Sequence, residues 1–555
     1  MSFDVTTLHG RRAEHRANRM AVGDILERLT WSRPHQEALV GRPGAYADPA
    51  FARLTYAQAD ALANQTANAL LGAGLARGDR VLLFCDNSVE AIVLLLAVAK
   101  AGLVAAPVNP VMAPDVVAWI AGHVEPAFCV VDAGLAERAQ PALTSAGIAP
   151  DVAIAVGGEP PDGVPGFSEW IAPWPADEPE VAIAADDIWE VLFTSGTTAM
   201  PKASMSSHTF SYLTGYSYAL SLTRGVAHEH DFRMGTFLPI VYHCGHNSTI
   251  VPAWLSGGTA IIGRGPSRYG ELAAAITEDR ITGLWAGSPQ FLEGLVSTAE
   301  AEPDVYDLRS LTVAMFSWKT IHADLADRLR ALAGEDVQIW EIYGQTESMS
   351  GYRFWMDEHP ERVRAGQSAV NYVGVPNPIM ESKILDEEGR DLRDRPGVPG
   401  EAVFRGPALT SGYFRNQEAT EEAFAGGWFH SGDSCCYEPD GVQVLVDRFK
   451  DIVKSGGENV SSLRVESVAI QCPGVEKVAV IGIPDERWGE RVTAVVVSDR
   501  TGPYFEQEII AFCRSRLAGY ETPKRVVFVP ELPETVGGKV LKYRLRELLA
   551  DANAR

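Results

Sequence analysis

No stretch of this 555-residue chain stays apolar for the roughly 20 residues that a membrane span needs. The longest apolar run, 91–103, contains Lys100 and reads as a core helix. Residues 1–20 mix charge and polarity without the apolar centre of a signal peptide, so secretion is not expected. Positive charge is scarce: 48 Lys and Arg stand against 72 Asp and Glu, a net −24. That balance opposes broad binding to nucleic acid or anionic lipid, so a polyanionic ligand needs a locally basic pocket. The seven cysteines lie scattered in apolar stretches with no C-x-x-C spacing, which disfavours the common zinc modules and fits buried thiols in a reducing cytoplasm. Internal repeats and low-complexity tracts are absent too. What remains is ordinary globular composition, 46% hydrophobic and 22% charged, in a chain long enough for roughly three or four folding units.

Apolar runs and helical periodicity alternate along the first half. A helix over 57–75, a strand over 80–84, a helix over 88–101 and strands over 104–108, 127–131, 152–156 and 188–194 predict a parallel sheet covered by helices. From Gly235 the alternation resumes, with strands over 259–262, 283–285, 311–316 and 338–342 and helices over 269–276 and 323–333. Between 373 and 446 short apolar runs broken by Gly and Pro predict a β-rich subdomain. Beyond 447–451 come a helix over 463–472, strands over 478–483 and 493–497 and a helix over 506–517, enough for a compact α+β domain. The expected fold class is α/β.

Five segments carry chemistry. Phe193-Thr194-Ser195-Gly196-Thr197-Thr198-Ala199-Met200-Pro201-Lys202 follows a strand, where open α/β sheets place ligands. Gly196 allows close backbone approach, and amides, hydroxyls and Lys202 converge as a phosphate cradle. It is not a Walker A loop, because Pro201 precedes the lysine and Ala203 follows it. Tyr343-Gly344-Gln345-Thr346-Glu347 sets an aromatic face, a hydroxyl and a carboxylate at another strand end. A carboxylate beside phosphate needs a cation between them, so Glu347 is read as a Mg²⁺ ligand. Gly427-Trp428-Phe429-His430-Ser431-Gly432-Asp433 offers Asp433 to a ribose diol. Ser455-Gly456-Gly457-Glu458-Asn459-Val460 is a glycine turn, and Glu534-Thr535-Val536-Gly537-Gly538-Lys539 holds a lysine on a glycine loop. Each segment alone also fits a solvated or structural turn.

In this order and spacing the five segments resemble those of the adenylate-forming enzymes: acyl-CoA synthetases, firefly luciferase and the adenylation domains of peptide synthetases. The resemblance runs from Leu54-Thr55-Tyr56 to Lys539 and is closest to bacterial acyl-CoA ligases. It implies a large N-terminal domain, 1–448, of two α/β subdomains to about residue 372 plus a β-rich subdomain over 373–448. A small mobile α+β domain follows over 449–555, with its hinge at Lys450. It also implies roles. Thr194, Ser195, Gly196, Thr197, Thr198 and Lys202 would hold the β- and γ-phosphates of ATP. Tyr343 would lie against adenine with Gln345 in the nucleotide site, Asp433 would take the ribose and Arg448 would stand nearby. Thr346 would contact the α-phosphate and Glu347 the Mg²⁺, while Lys539 would be catalytic. Ser455, Gly456 and Gly457 would support coenzyme A.

Pro239-Ile240-Val241-Tyr242-His243-Cys244-Gly245-His246 resembles the family's acyl-site stretch with one residue more, which makes His243 a pocket candidate. A zinc site from His243, Cys244 and His246 lacks an evident fourth ligand. The other expected acyl-pocket residues are Asn247, Ser288, Phe316, Trp318 and Ser348. Two departures stand out: Ala199 where the family has Gly, and Phe316-Ser317-Trp318-Lys319-Thr320 where it has a small, Gly-rich turn. The expected activity is ligation of a carboxylic acid to coenzyme A through acyl-AMP, with transfer to an amine or a carrier protein as the alternative. The expected partner is a small carboxylic acid, cyclic, aromatic or medium-sized, and neither nucleic acid nor a membrane. A homodimer is admissible, and the sequence does not set the oligomeric state.

Overall fold

A computed structural model describes residues 20–194, 200–223, 232–318, 321, 323–365, 370–485, 487–534 and 540–553. Ser195 to Ala199 of the phosphate-type loop and Lys539 lie outside the described residues, as does Lys319.

The first sheet runs Val152–Ile154, Phe128–Asp132, Arg80–Phe84, Val104–Pro107, Ile188–Phe193, Ala203–Ser207. All neighbours are parallel except the last pair, a hairpin that carries the phosphate-type loop at its turn. The Val81-Leu82-Leu83-Phe84 run is apolar throughout because both faces are covered. Val81 and Leu83 join the core with helices Tyr56–Gly72 and Val89–Lys100, while Leu82 and Phe84 pack on the side of helix Pro114–Val124. Helix Val89–Lys100 is buried along its whole length, Lys100 included. The Lys100 ammonium is held by Asp60 at 3.0 Å and Glu178 at 2.7 Å, which is how a charge survives there.

The second sheet has thirteen strands among the described residues and draws on distant parts of the chain. Strands Glu37–Gly41 and Arg53–Thr55, from the start of the chain, pair beside Thr259–Ile262 at its edge rather than joining the first sheet. The β-rich strands are not a separate sheet either. They continue the second one through two residue pairs, Tyr352 with Pro376 and Arg353 with Val375. The C-terminal residues form a third sheet from Val453–Ser455 to Arg525–Phe528, packed by helices Ser462–Ala469, Pro503–Arg514 and Lys542–Asn553. The architecture is therefore α/β, with a large N-terminal domain and a small C-terminal one. Among the described residues no helix is long and apolar enough to cross a membrane.

Asp132 ends a central strand, fully buried, accepting the Asp86 amide at 2.8 Å while its Oδ1 has no partner. Burial lifts its pKa from 3.8 to about 7. A raised acid favours the folded state only while protonated, so it costs stability progressively between the unfolded and folded values and in full above about 7. Asp132→Asn is therefore expected to match the parent near its unfolded pKa of 3.8. By about pH 8 it should exceed the parent by at most about 4 kcal/mol in chemical unfolding. An Asn variant no more stable than the parent at the higher pH would contradict the ionisation assigned to Asp132.

Candidate active site

One cavity of about 630 Å³ lies where the two large sheets and the C-terminal domain meet. Many of its wall residues stand at strand ends and in the turns after them, as expected for ligand sites in such sheets.

Thr194 and Lys202 close the base of the phosphate-type loop. The Thr194 amide donates to the Lys202 carbonyl at 2.9 Å, and the Lys202 amide donates to Thr194 Oγ1 at 3.1 Å. The Lys202 ammonium sits 4.7 Å above the Tyr413 ring, and the Tyr413 hydroxyl donates to Glu347 Oε1 at 2.8 Å. Thr346 and Glu347 form the tight turn between strands Gln338–Gln345 and Ser348–Trp355. Glu347 is buried, and its Oε2 makes no hydrogen bond among the described residues. A carboxylate oxygen without a hydrogen bond, in a cavity that also holds Lys202, fits Mg²⁺, which takes one or two carboxylates and completes its shell with water and phosphate.

Asp433 is the centre of a second group. Its Oδ2 accepts Tyr343 Oη at 2.5 Å and Gln345 Nε2 at 2.7 Å, and Arg448 Nε lies 3.2 Å from Oδ1. Cross-strand register sets Asp433 directly opposite Arg448. Oδ1 has no hydrogen bond of its own, so an acceptor is left for incoming hydroxyls. Burial and then Asp433 push the Tyr343 phenol well above its usual pKa, which keeps it a donor. Burial opposes the Arg448 charge, yet Asp433 and the other acidic groups around it raise its pKa overall. On the same strand as Tyr343, Glu341 is a buried carboxyl lining the cavity, and burial raises its pKa well above the ordinary range.

A third group is aromatic: Tyr218, Tyr242, Trp285 and Trp318, with His243 among them. Trp318 has φ +72°, a left-handed conformation costly for a bulky side chain, and its ring lies 5.7 Å from that of Trp285. Burial, then the neighbouring His246, hold His243 well below its usual pKa and hence neutral.

Of the expected acyl-pocket residues, the structure brings His243 and Trp318 to the cavity and leaves the others off its wall. Phe316 alternates away from Ser317 and is fully buried in the helix-packed core with Ile339 and Leu325. Asn247 stands behind His243, its Nδ2 2.7 Å from Nδ1. Ser288 and Ser348 are buried and do not line the cavity. Ser455, Gly456 and Gly457 form a hairpin turn packed against Trp488, with the Gly456 amide on the Trp488 carbonyl at 2.7 Å, and they also lie off the cavity. Lys450 does line it, and burial with Arg448 alongside lowers its ammonium to about 8. Val540, the residue after Lys539, lines it as well.

Sequence reasoning missed Tyr218, Trp285 and Glu341. Tyr218 sits on helix His208–Thr223, which is buried on nearly all sides and shows no apolar stripe to read. Glu341 left a signal: a carboxylate inside an apolar strand.

Two family models match the chain. The model described as AMP-binding enzyme matches residues 28–414, and the one described as AMP-binding enzyme C-terminal domain matches 464–539. The chain belongs to the AMP-binding enzyme family. This AMP-binding enzyme is 32% identical over 534 residues to the long-chain-fatty-acid–CoA ligase FadD13 of Mycobacterium tuberculosis, covering 94% of this chain and 98% of that one. It is also 32% identical over 498 residues to a feruloyl-CoA synthase of Amycolatopsis, covering 89% and 93%. The crystal structure of ATP-bound MatB from Rhodopseudomonas palustris matches its fold with a TM-score of 0.80 at 28% identity, over 96% of this chain and 99% of that one.

Proposed function

We propose that this AMP-binding enzyme is an ATP-dependent acid:CoA ligase. A carboxylate oxygen attacks the α-phosphorus of ATP, the bond to the β-phosphate breaks, and pyrophosphate leaves acyl-AMP. The sulfur of coenzyme A then attacks the acyl carbonyl, its proton is released, and AMP departs with both electrons of the broken C–O bond. The observation that carries this reading is the single cavity in which the Asp433 group and the aromatic group meet at Thr346 and Glu347. The two curated relatives, one named for a fatty acid and one for a phenolic acid, support the same pair of half-reactions.

Thr194 and Lys202, with Ser195, Gly196, Thr197 and Thr198 between them, bind the β- and γ-phosphates. Asp433 receives the ribose hydroxyls, oriented by Tyr343 and Gln345, and Arg448 balances its charge. Thr346 lies at the α-phosphate. Glu347 would hold Mg²⁺, which would supply charge neutralisation at the phosphates. Lys539 stabilises the same developing charge. The domain boundary falls at 448/449, and rotation about Lys450 brings Ser455, Gly456 and Gly457 to coenzyme A after adenylation. The aromatic walls select a cyclic, aromatic or medium-sized acid, and the enzyme works in the cytoplasm where its cosubstrates are.

The test is a carboxylic-acid screen with ATP, followed by acceptor competition among coenzyme A, amines and carrier protein with products followed by mass. Acid-dependent AMP and pyrophosphate with an acyl-CoA product are expected. ADP formation, or turnover only with an amine or a carrier, would overturn the assignment.

Trp318 sets the size of the acid in this reading. Trp318→Gly removes an indole from the pocket and relieves about 1–2 kcal/mol of left-handed strain. The kcat/KM for the best compact acid is expected to fall roughly 10- to 200-fold, while bulkier acids gain. An unchanged acid profile would remove Trp318 from specificity.

A further inference from the structure

Glu190 interrupts the apolar strand Ile188–Phe193, and its side chain is fully buried. A carboxylate away from water costs several kcal/mol unless positive charge faces it. Two buried imidazoles face it, His243 and His246, from the turn after Pro239. His246 Nε2 stands 2.9 Å from Glu190 Oε1, and His243 Nδ1 stands 3.5 Å from Oε2. Despite that proximity, neither Glu190 oxygen nor His246 Nε2 is aligned as a hydrogen bond.

The opposite edges of the rings fix where the lone pairs lie. His246 Nδ1 donates to the Ile240 carbonyl at 2.8 Å, which makes Nε2, 2.9 Å from Glu190, the nitrogen that can give an ion its lone pair. His243 Nε2 lies 3.4 Å from the Ser206 hydroxyl, and a hydrogen on Nε2 leaves Nδ1, 3.5 Å from Glu190 Oε2, as the lone pair. Two imidazole lone pairs and a carboxylate thus meet with their donor atoms within 4.8 Å of one another. A metal-ligating histidine ordinarily gives its other N–H to a carbonyl or carboxylate, as His246 does here.

We propose that Glu190, His243 and His246 bind one divalent transition-metal ion of the Zn²⁺ class behind the aromatic wall of the cavity. Two nitrogens and one carboxylate oxygen suit Zn²⁺, and Co²⁺ in its place, whereas Mg²⁺ prefers oxygen throughout. Asn247 completes the set. One end of its amide stands 2.7 Å from His243 Nδ1, and read as the oxygen, which otherwise has no partner, it adds a fourth donor beside that nitrogen. Cys244, the neighbour that sequence spacing suggests, stays outside the cluster with its thiol pushed up to about 12 by burial. The site shares no ligand with Glu347 and its nucleotide, and the proposal stands apart from the ligase reading. Its effect on the cavity is to fix the His243 ring with Nε2–H on the side away from the ion.

Full-length protein stripped with chelator, without nucleotide, is titrated with Co²⁺ while the visible absorption is followed. The expected result is one equivalent bound per chain with an intense low-symmetry d–d spectrum, displaced by Zn²⁺, retained in Glu347→Gln and lost in Glu190→Gln and His246→Gln. Circular dichroism of each variant separates loss of the site from loss of the fold. Folded wild-type protein that shows no such spectrum would overturn the site by itself. So would a His246→Gln variant with the wild-type spectrum.

Discussion

Alanine in place of Lys539 is expected to slow acyl-AMP formation by about 10²–10³-fold while thioester formation from supplied acyl-AMP stays near the parent rate. The asymmetry follows from the charge balance of the two steps. In the first, negative charge gathers on the phosphate oxygens as pyrophosphate leaves, and a positioned cation in a water-poor site lowers that barrier by about 3–4 kcal/mol. In the second, the leaving group is AMP and the attack is at carbon, away from any ammonium aimed at pyrophosphate. The residue after Lys539, Val540, lines the same cavity as Asp433 and Arg448. The two half-reactions are read separately, pyrophosphate release in one and acyl-CoA from synthetic acyl-AMP in the other. Equal loss of both would mean that Lys539 supports the fold or the nucleotide rather than the first step.

Much of this arrangement was legible because the local signals agree with the tertiary ones. Strands Arg80–Phe84 and Thr259–Ile262 and helix Ala323–Ala333 have the bounds that apolar runs and helical periodicity predict. Tyr343, Gln345 and Asp433, nearly ninety residues apart in the chain, were assigned to one ligand by resemblance, and the structure joins them through 2.5 Å and 2.7 Å hydrogen bonds. What was not legible depends on pairing across long separations. Nothing in Glu37–Gly41 says that its partner is Thr259–Ile262 rather than a strand of the first sheet. Phe316 and Trp318 look alike as aromatic residues near a turn, and alternation would set both on one face; the strand's end at Phe316 and the positive φ at 318 send one to the core and the other to the cavity. Glu190 reads as an isolated acid in an apolar strand, and its partners lie more than fifty residues away at His243 and His246.

Proline at position 450 is expected to do the reverse of alanine at 539. Several contacts tie the segment around the proposed hinge and the C-terminal domain together in the arrangement seen here. Arg546 bonds Asp451 at 2.9 Å and the Lys450 carbonyl at 3.3 Å, and Lys542 pairs with Glu466 at 2.7 Å. Asp447 accepts both the amide and the hydroxyl of Ser462 at 2.6 Å, which ties the strand before the hinge to the helix after it. In this arrangement Lys450 and Val540 both line the cavity while Ser455, Gly456 and Gly457 do not. In the proposed cycle adenylation needs no change in it. Thioester formation in the proposed cycle requires the chain to turn about Lys450, and proline fixes φ near −65° while restricting Phe449 as well. Lys450→Pro is therefore expected to leave acid-dependent pyrophosphate release within a few-fold of the parent. Acyl-CoA formation should fall by about 100-fold, the cost of holding a reacting group out of place. Single-turnover measurements of acyl-AMP and acyl-CoA in the same reaction separate the two, because acyl-AMP accumulates only if the block lies after it. A variant that forms acyl-CoA at the parent rate would remove the pivot from Lys450.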